Sequence, residues 1–211
     1  EIDFKIVNKY TQEKNTILIN KIFNNKGVEI NKLETKILLQ PGINKISQII
    51  RLNEISLWSP NNPSLYKIKS YIKIKDKTED IVFENFGFRE FTVKDDRFYL
   101  NDKPIYLKAA FFEGLYPIKL AHPDSKEMVI KEIMMAKKAG FNMIRPWRKP
   151  PPPMWLKIAD SLGVLTVGSM AIECMDMPIE TPYLPRRVEN EITESILRDR
   201  NHVSIVQWEL F

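Results

Sequence analysis

A single cysteine, Cys174, in 211 residues excludes an internal disulfide, and with no His or Cys neighbour at ligand spacing it makes no zinc site. It reads as a packed thiol. No apolar run approaches the ~20 residues needed to cross a bilayer, so no membrane partner is expected. The opening Glu1-Ile-Asp-Phe-Lys5 lacks the apolar stretch of a signal peptide and runs directly into strand-like sequence. The compartment therefore stays open, and a periplasmic or extracellular location is compatible with it. Glycine is scarce, at 7 residues, and no glycine-rich phosphate loop follows any strand, which argues against a nucleotide-binding doubly wound sheet. Histidine is scarcer still, at 2. His122, in Ala-His-Pro-Asp124, has no nucleophile motif beside it and reads as a loop residue.

Also missing is a basic cluster interleaved with exposed aromatics. The net charge of +5 invites a nucleic-acid reading. However, the lysines alternate with apolar residues, as in Tyr66-Lys-Ile-Lys-Ser-Tyr-Ile-Lys-Ile-Lys75. That spacing puts them on the wet face of a strand, so no nucleic-acid partner is expected. At 44% hydrophobic and 28% charged, the chain has the make-up of an ordinary globular protein with one large core or two modest ones.

What is present falls into two halves. Up to about residue 92, period-two patterning recurs in Asp3 to Val7, Thr16 to Phe23, Glu34 to Leu39, Lys45 to Leu52, Leu65 to Lys75 and Glu79 to Phe86. Asn24-Asn25, Gly27, Pro41-Gly42 and Asn61-Asn62-Pro63 separate the runs. Six or seven short strands at this spacing suit a two-sheet immunoglobulin-like β-sandwich over residues 1–92.

From residue 93 the rhythm becomes that of an α/β repeat. Asp96 to Leu107 reads as a hairpin turning at Asn101-Asp102, whose second arm continues through Ile105 to Ala110 as a first buried strand. Ser125 to Ala139 reads as a helix with Asp124 as N-cap and Gly140 as its stop. Met143 to Arg145 is a second strand, Met154 to Leu162 a second helix ended by Gly163, and Val164 to Val167 a third strand. Pro185 to Arg200 has proline in its first turn, a helical recurrence of Val188, Ile192 and Ile196, and cations at its C-terminus. Val203 to Trp208 closes the series as a short β-branched run. Alternating strands and helices imply a parallel sheet, either doubly wound or half of an eight-fold barrel.

Specific segments decide between these. Leu57-Trp-Ser-Pro-Asn-Asn-Pro-Ser-Leu-Tyr66 resembles the Trp-Ser-Pro…Pro…Leu-Tyr segment of glycoside hydrolase family 2, which includes β-galactosidases, β-glucuronidases and β-mannosidases. Phe86-Gly-Phe-Arg89 matches the signature that ends that family's sandwich. Phe98 to Lys108 is similar to its Asn-Gly-Lys-Pro hairpin, with Asp102 in the usual glycine place. Gly140 to Arg145, Asp160 to Gly163 and Arg198 to Trp208 resemble the entries to its second, third and fourth barrel strands. The resemblance runs in one order over almost the whole chain. It implies a multidomain β plus α/β protein: the sandwich over 1–92, then over 93–211 the first half of a TIM (β/α)8 barrel, cut in its fourth strand.

The family chemistry is retaining, exo-acting hydrolysis of O-glycosidic bonds by two carboxyl groups about 5 to 5.5 Å apart. By the family register the acid/base glutamate is expected just after Phe211 and the nucleophile on a later strand, so the chain is expected to hold no catalytic residue and to be inactive alone. The resemblance makes Arg145 a pocket residue able to keep a nucleophilic carboxylate ionised, and Trp147 a stacking surface for a sugar. Arg148, Glu173 and Glu113 are further pocket candidates. Glu209, four residues before the expected acid/base, reads as a buried or inter-strand carboxylate. The substrate would be a carbohydrate; no cofactor and no metal are implied.

Departures matter too. Ala109-Ala-Phe-Phe-Glu-Gly114 replaces the polar Gly-Val-Asn-Arg-His-Glu of β-galactosidases, and Met175 stands where a metal-site histidine is usual. These argue for altered sugar specificity, with an anionic sugar met by Arg148 and Lys149 as one option. Met170, Met175 and Met177 read as flexible apolar filling. A non-catalytic carbohydrate-binding or scaffolding module is the alternative. Half a barrel leaves apolar faces uncovered, so self-association or partial disorder of the piece is expected.

Overall fold

A computed structural model describes residues 1–75, 77–147, 149–172 and 181–209. The chain divides into two compact units, one formed by Glu1–Ser56 with Leu65–Phe86, the other by Leu57–Ser64 with Gly87–Phe211.

The first unit holds β1 (Ile2–Asn8), β2 (Lys14–Phe23), β3 (Glu29–Leu39), β4 (Gly42–Gln48), β5 (Tyr66–Ile74) and β6 (Lys77–Phe86). A four-stranded antiparallel sheet runs β3-β2-β5-β6, and β1 pairs with β4 in a second sheet. This is the immunoglobulin-like sandwich, and its alternation is the one legible in the sequence. Tyr66 and Ile68 are buried while Lys67 between them is exposed. Asn20 is fully buried on the core side of β2, where its side-chain amide donates to Gln48 Oε1. Gln48 Nε2 in turn donates to Thr35 Oγ1 at 2.7 Å, so the Asn20 amide nitrogen that alternation forces inward is hydrogen-bonded there, while Asn20 Oδ1 has no partner among the described residues.

The second unit opens with a three-stranded antiparallel sheet of β7 (Phe91–Lys94), β8 (Arg97–Leu100) and β9 (Lys103–Ile105). It continues as a wholly parallel sheet, β10 (Ala109–Phe112), β11 (Met143–Pro146), β12 (Leu165–Ser169) and β13 (Ile205–Glu209). Between successive parallel strands lie α1 (Lys126–Lys138), α2 (Pro153–Leu162) and α3 (Leu184–Asp199). The order β10-β11-β12-β13 is the start of a TIM barrel. Val129 and Ile133 of α1 and Trp155, Leu156 and Ala159 of α2 bury against Ile144 and Ile205 of the sheet. The Phe112 ring stacks on Trp155 at 5.6 Å. Among the described residues no helix is long and apolar enough to cross a membrane.

Two local readings are corrected. The arm expected to run unbroken from the hairpin through Ala110 is two strands, β9 and β10, with different partners, and the second is not buried: Ala109 and Phe111 are exposed. The physical cause is Asn142. Its Oδ1 accepts from Lys108 N–H at 2.8 Å and its Nδ2 donates to Tyr106 O at 2.9 Å, so a side chain takes backbone groups that a ladder would otherwise use. The cap of α1 is Ser125, not Asp124. Ser125 is extended, with φ −151°, and its hydroxyl accepts from Met128 N–H at 3.2 Å.

Leu57–Ser64, grouped by its sequence pattern with the sandwich, clusters with the second unit. Trp58 is fully buried there, and its indole N–H donates to Asp160 O of α2 at 2.8 Å. The Asp160 carboxylate faces the start of β13: Oδ2 lies 2.6 Å from His202 Nδ1, and Oδ1 accepts from Ser204 N–H at 2.9 Å. Arg89 donates from Nε to Val203 O at 3.1 Å and from Nη2 to Ile205 O. Lys137 of α1 donates to the carbonyls of Pro60, Leu162 and Gly163.

Gly163 ends α2 with φ +69°, and a Cβ there would lie 2.6 Å from the Pro60 carbonyl oxygen. Gly140 ends α1 with φ +89° and open space around it. Gly140→Ala should cost about 1–2 kcal/mol, the strain of a left-handed Cβ alone. Gly163→Ala adds a backbone clash and should lower the urea midpoint clearly further; equal shifts would contradict this account.

Candidate active site

In a parallel barrel the loops after the strands shape the pocket, so the C-terminal ends of β10 to β13 are where chemistry is sought. Alternation along each strand sends one set of side chains toward the helices and the other to the opposite face. Ile144 and Ile205 join the helix-side core. Ala109, Met143, Arg145, Val167, Gln207 and Glu209 line a concavity of about 570 Å³.

Two features of β12 and β13 set this face. Their register shifts by one residue between Thr166 and Val167: Thr166 pairs with Ile205, Val167 with Gln207, and Ser169 with Glu209. Gly168 pairs with Trp208, whose ring occupies the space that a Cβ at Gly168 would need. Trp208 thus packs against the helix-side core and also borders the concavity, which Glu209 enters.

There Glu209 forms an ion pair with Arg145, reaching from β13 to β11. The Arg145 guanidinium also lies 5.9 Å from the centre of the Phe111 ring, a cation–π distance, and Phe111 is paired with Arg145 in the strand register. Phe111 and Trp147 meet with ring centres 5.5 Å apart, and Trp147 N–H donates to Phe112 O at 3.0 Å. One cation is therefore flanked by an acid and by the Phe111 ring, with Trp147 behind that ring, an arrangement able to hold a hydroxylated ring by stacking and hydrogen bonding.

Of the candidates read from sequence, Arg145 lines the concavity, and Trp147 does not line it but meets Phe111, the ring beside Arg145. Glu113 is exposed beyond β10 and does not line it. Arg148 and Glu173 lie outside the described residues, as do Cys174, Met175 and Met177. Met170 is buried, at 2% exposure. Glu209 is inter-strand as expected, and its partner is Arg145. Sequence reasoning does not single out Phe111. Phe111 carries a signal, since it stands two residues after Ala109 on the same strand face. Among the described residues no three His, Cys, Asp or Glu side chains are grouped to hold a metal.

The model of the glycosyl hydrolases family 2 matches residues 1–89, and that of the family 2 TIM barrel domain matches residues 91–210. A β-galactosidase of Photobacterium profundum is 26% identical over 171 residues, covering 78% of this chain and 16% of the relative. One from Vibrio vulnificus is 27% identical over 172 residues with the same shares. Among solved structures, the Bacteroides uniformis β-glucuronidase aligns at 25% identity with a TM-score of 0.82, covering 98% of this chain and 25% of its own. A glycosyl hydrolase family 2 member from Bacteroides cellulosilyticus aligns at 24% identity with a TM-score of 0.86, over 98% of this chain and 28% of that one. The chain thus spans about one sixth of the curated relatives it matches.

The loop after β10 carries a second polar contact. Tyr116 is buried, and its hydroxyl donates to Glu132 Oε2 of α1 at 3.1 Å. Burial pushes the Glu132 pKa up, and the Tyr116 hydrogen bond only partly opposes this. A carboxyl raised on folding contributes stability that is fully present below its unfolded pKa and lost as pH rises through the folded one. Glu132→Gln should therefore flatten the fall in thermal midpoint on going from acid toward neutral pH. An unchanged slope would show that Glu132 titrates as it does in the unfolded chain.

Proposed function

Because this chain belongs to family 2 of the glycosyl hydrolases, we propose that the protein hydrolyses O-glycosidic bonds of carbohydrates as a retaining, exo-acting glycosidase, and that the concavity at the ends of β10 to β13 is part of its sugar pocket. The observation that carries this reading is the Arg145–Glu209 pair beside Phe111 in that concavity. A charged pair and an exposed aromatic at the C-terminal ends of parallel strands are of little use to a sheet, and they suit recognition of a polar ring.

The roles divide by chemistry. A retaining mechanism needs one carboxyl group as nucleophile and a second that protonates the leaving oxygen. Glu209 is engaged by the Arg145 guanidinium across the strands. Its part is to orient Arg145 and line the pocket. The acid/base lies further along, four positions past Glu209 in the family register, and the nucleophile on a later strand. Arg145 supplies the fixed positive charge around which these acids are arranged. Trp147, backed by Phe111, offers the stacking surface. A carbohydrate is the partner this pocket takes.

The direct test assays the full-length protein that carries this segment on neutral and uronic aryl β-glycosides, with the anomeric form of the first product read by NMR. Turnover with retention is expected. Arg145→Gln should lower kcat/KM by about 100-fold or more, the scale for losing a charged group at a reacting centre. Trp147→Ala should raise KM about tenfold, the equivalent of one aromatic contact. The 211-residue chain alone should show no turnover. No hydrolysis of any such glycoside by the full-length protein would overturn the reading.

A further inference from the structure

Residues 149–153 read Lys-Pro-Pro-Pro-Pro, the only run of consecutive prolines in the chain. Proline fixes its own φ and drives the residue before it to extended backbone, so the run is a stiff spacer between β11 and α2. Pro152, with φ −57° and ψ 144°, has polyproline geometry. The far end of the run is fixed. Pro153 opens α2, Pro152 O accepts from Trp155 N–H at 2.8 Å, and Arg198 of α3 donates to Pro151 O at 3.0 Å.

The near end is held from β10. Trp147 N–H donates to Phe112 O at 3.0 Å, and Lys149 Nζ donates to Gly114 O at 2.6 Å, tying the loop after β11 to the loop after β10. Gly114 permits the approach: its φ is +65°, and a Cβ there would lie 3.1 Å from Lys149 Cε. Burial lowers the Lys149 pKa, with Glu113 acting the other way, so the ammonium has given up water to reach this carbonyl. Trp147, two residues before Lys149, meets Phe111, the ring beside Arg145. A loop fastened at both ends of a stiff run holds that indole in one place before any ligand arrives.

We propose that Lys149 is a positioning residue: by latching the loop after β11 to Gly114, it presets Trp147 as a ready-made stacking surface for the sugar, and it acts on substrate only through Trp147. A surface ordered in advance binds more tightly because the ordering cost is not met on binding. The proposal rests on the glycosidase reading and deepens it. It assigns Lys149 to the support of the stacking ring rather than to an anionic sugar, the option its charge raises in the sequence.

The test uses the full-length protein that carries this segment, with neutral and uronic aryl β-glycosides. Lys149→Met keeps the aliphatic stem and removes the donor. It should raise KM about threefold to tenfold for every glycoside turned over, with kcat within about twofold, the scale of one lost charged hydrogen bond. In a Trp147→Ala background the same substitution should add nothing, since residues that act as a unit are not additive. Gly114→Ala should reproduce both results, and it carries the test if Lys149→Met does not fold. Additive effects, or a loss confined to uronic substrates, would overturn the proposal. If nothing is hydrolysed, the glycosidase reading falls, and amide hydrogen exchange still decides the latch. Between Pro146 and Pro153 only positions 147, 148 and 149 carry a backbone N–H. The Trp147 amide should exchange slowly in the wild type and about tenfold faster in Lys149→Met. Fast exchange in the wild type, or equal protection in the two proteins, refutes the latch.

Discussion

The second unit depends on a buried acid at the end opposite the pocket. Asp160 of α2 uses its backbone carbonyl to receive the Trp58 indole and its carboxylate to meet His202 and the Ser204 amide. A carboxylate this far from water is tolerated only because donors surround it, and removing one would leave it uncompensated. The same contacts fix where β13 begins. Arg89 adds to them by donating to the carbonyls of Val203 and Ile205, and Lys137 satisfies the carbonyls that the end of α2 leaves unpaired. A strand whose start is pinned delivers its far end to a defined height. That is how packing at the base of the sheet determines which side chains reach its mouth.

The pocket end is built in the contrary manner. Its residues are fewer, more exposed and held mainly by one another: Arg145 by Glu209 and Phe111, Phe111 by Trp147, Lys149 by Gly114. The division of labour follows from the barrel itself, in which strand starts are sealed by packing and strand ends open into loops. The buried polar contacts and the concavity therefore lie at opposite ends of the same four short strands.

Much of this is legible in the residues. Period-two runs mark the sandwich strands because each has one wet face, as Lys67 beside Tyr66 and Ile68 illustrates. Gly140 and Gly163 mark helix ends because their φ values are open to glycine at little cost. What stays hidden is non-local. The break between β9 and β10 depends on Asn142, more than thirty residues away in sequence, whose amide captures the chain at Tyr106 and Lys108. The choice of Ser125 over Asp124 as helix cap turns on a single residue of phase, which hydrophobic spacing does not resolve. Assigning Leu57–Ser64 to the second unit requires knowing that Trp58 meets Asp160, a contact spanning 102 positions. At the concavity, Arg145 can be read from its place at the end of a strand, whereas its pairing with Glu209 cannot, since that depends on a shifted register.

That shifted register has a wider meaning. With an unbroken ladder from Thr166 and Ile205, Ser169 would stand opposite Trp208, and the carboxylate would fall on the helix side; the one extra residue in β13 reverses this parity. Gly168 is the complement of the reversal, its bare backbone leaving a berth for the displaced indole. One extra residue in a short strand thus changes which side chains face the concavity, while the parallel ladder resumes beyond it. In a fold whose strands are only four or five residues long, such parity changes offer a route to new specificity that point substitution alone cannot supply.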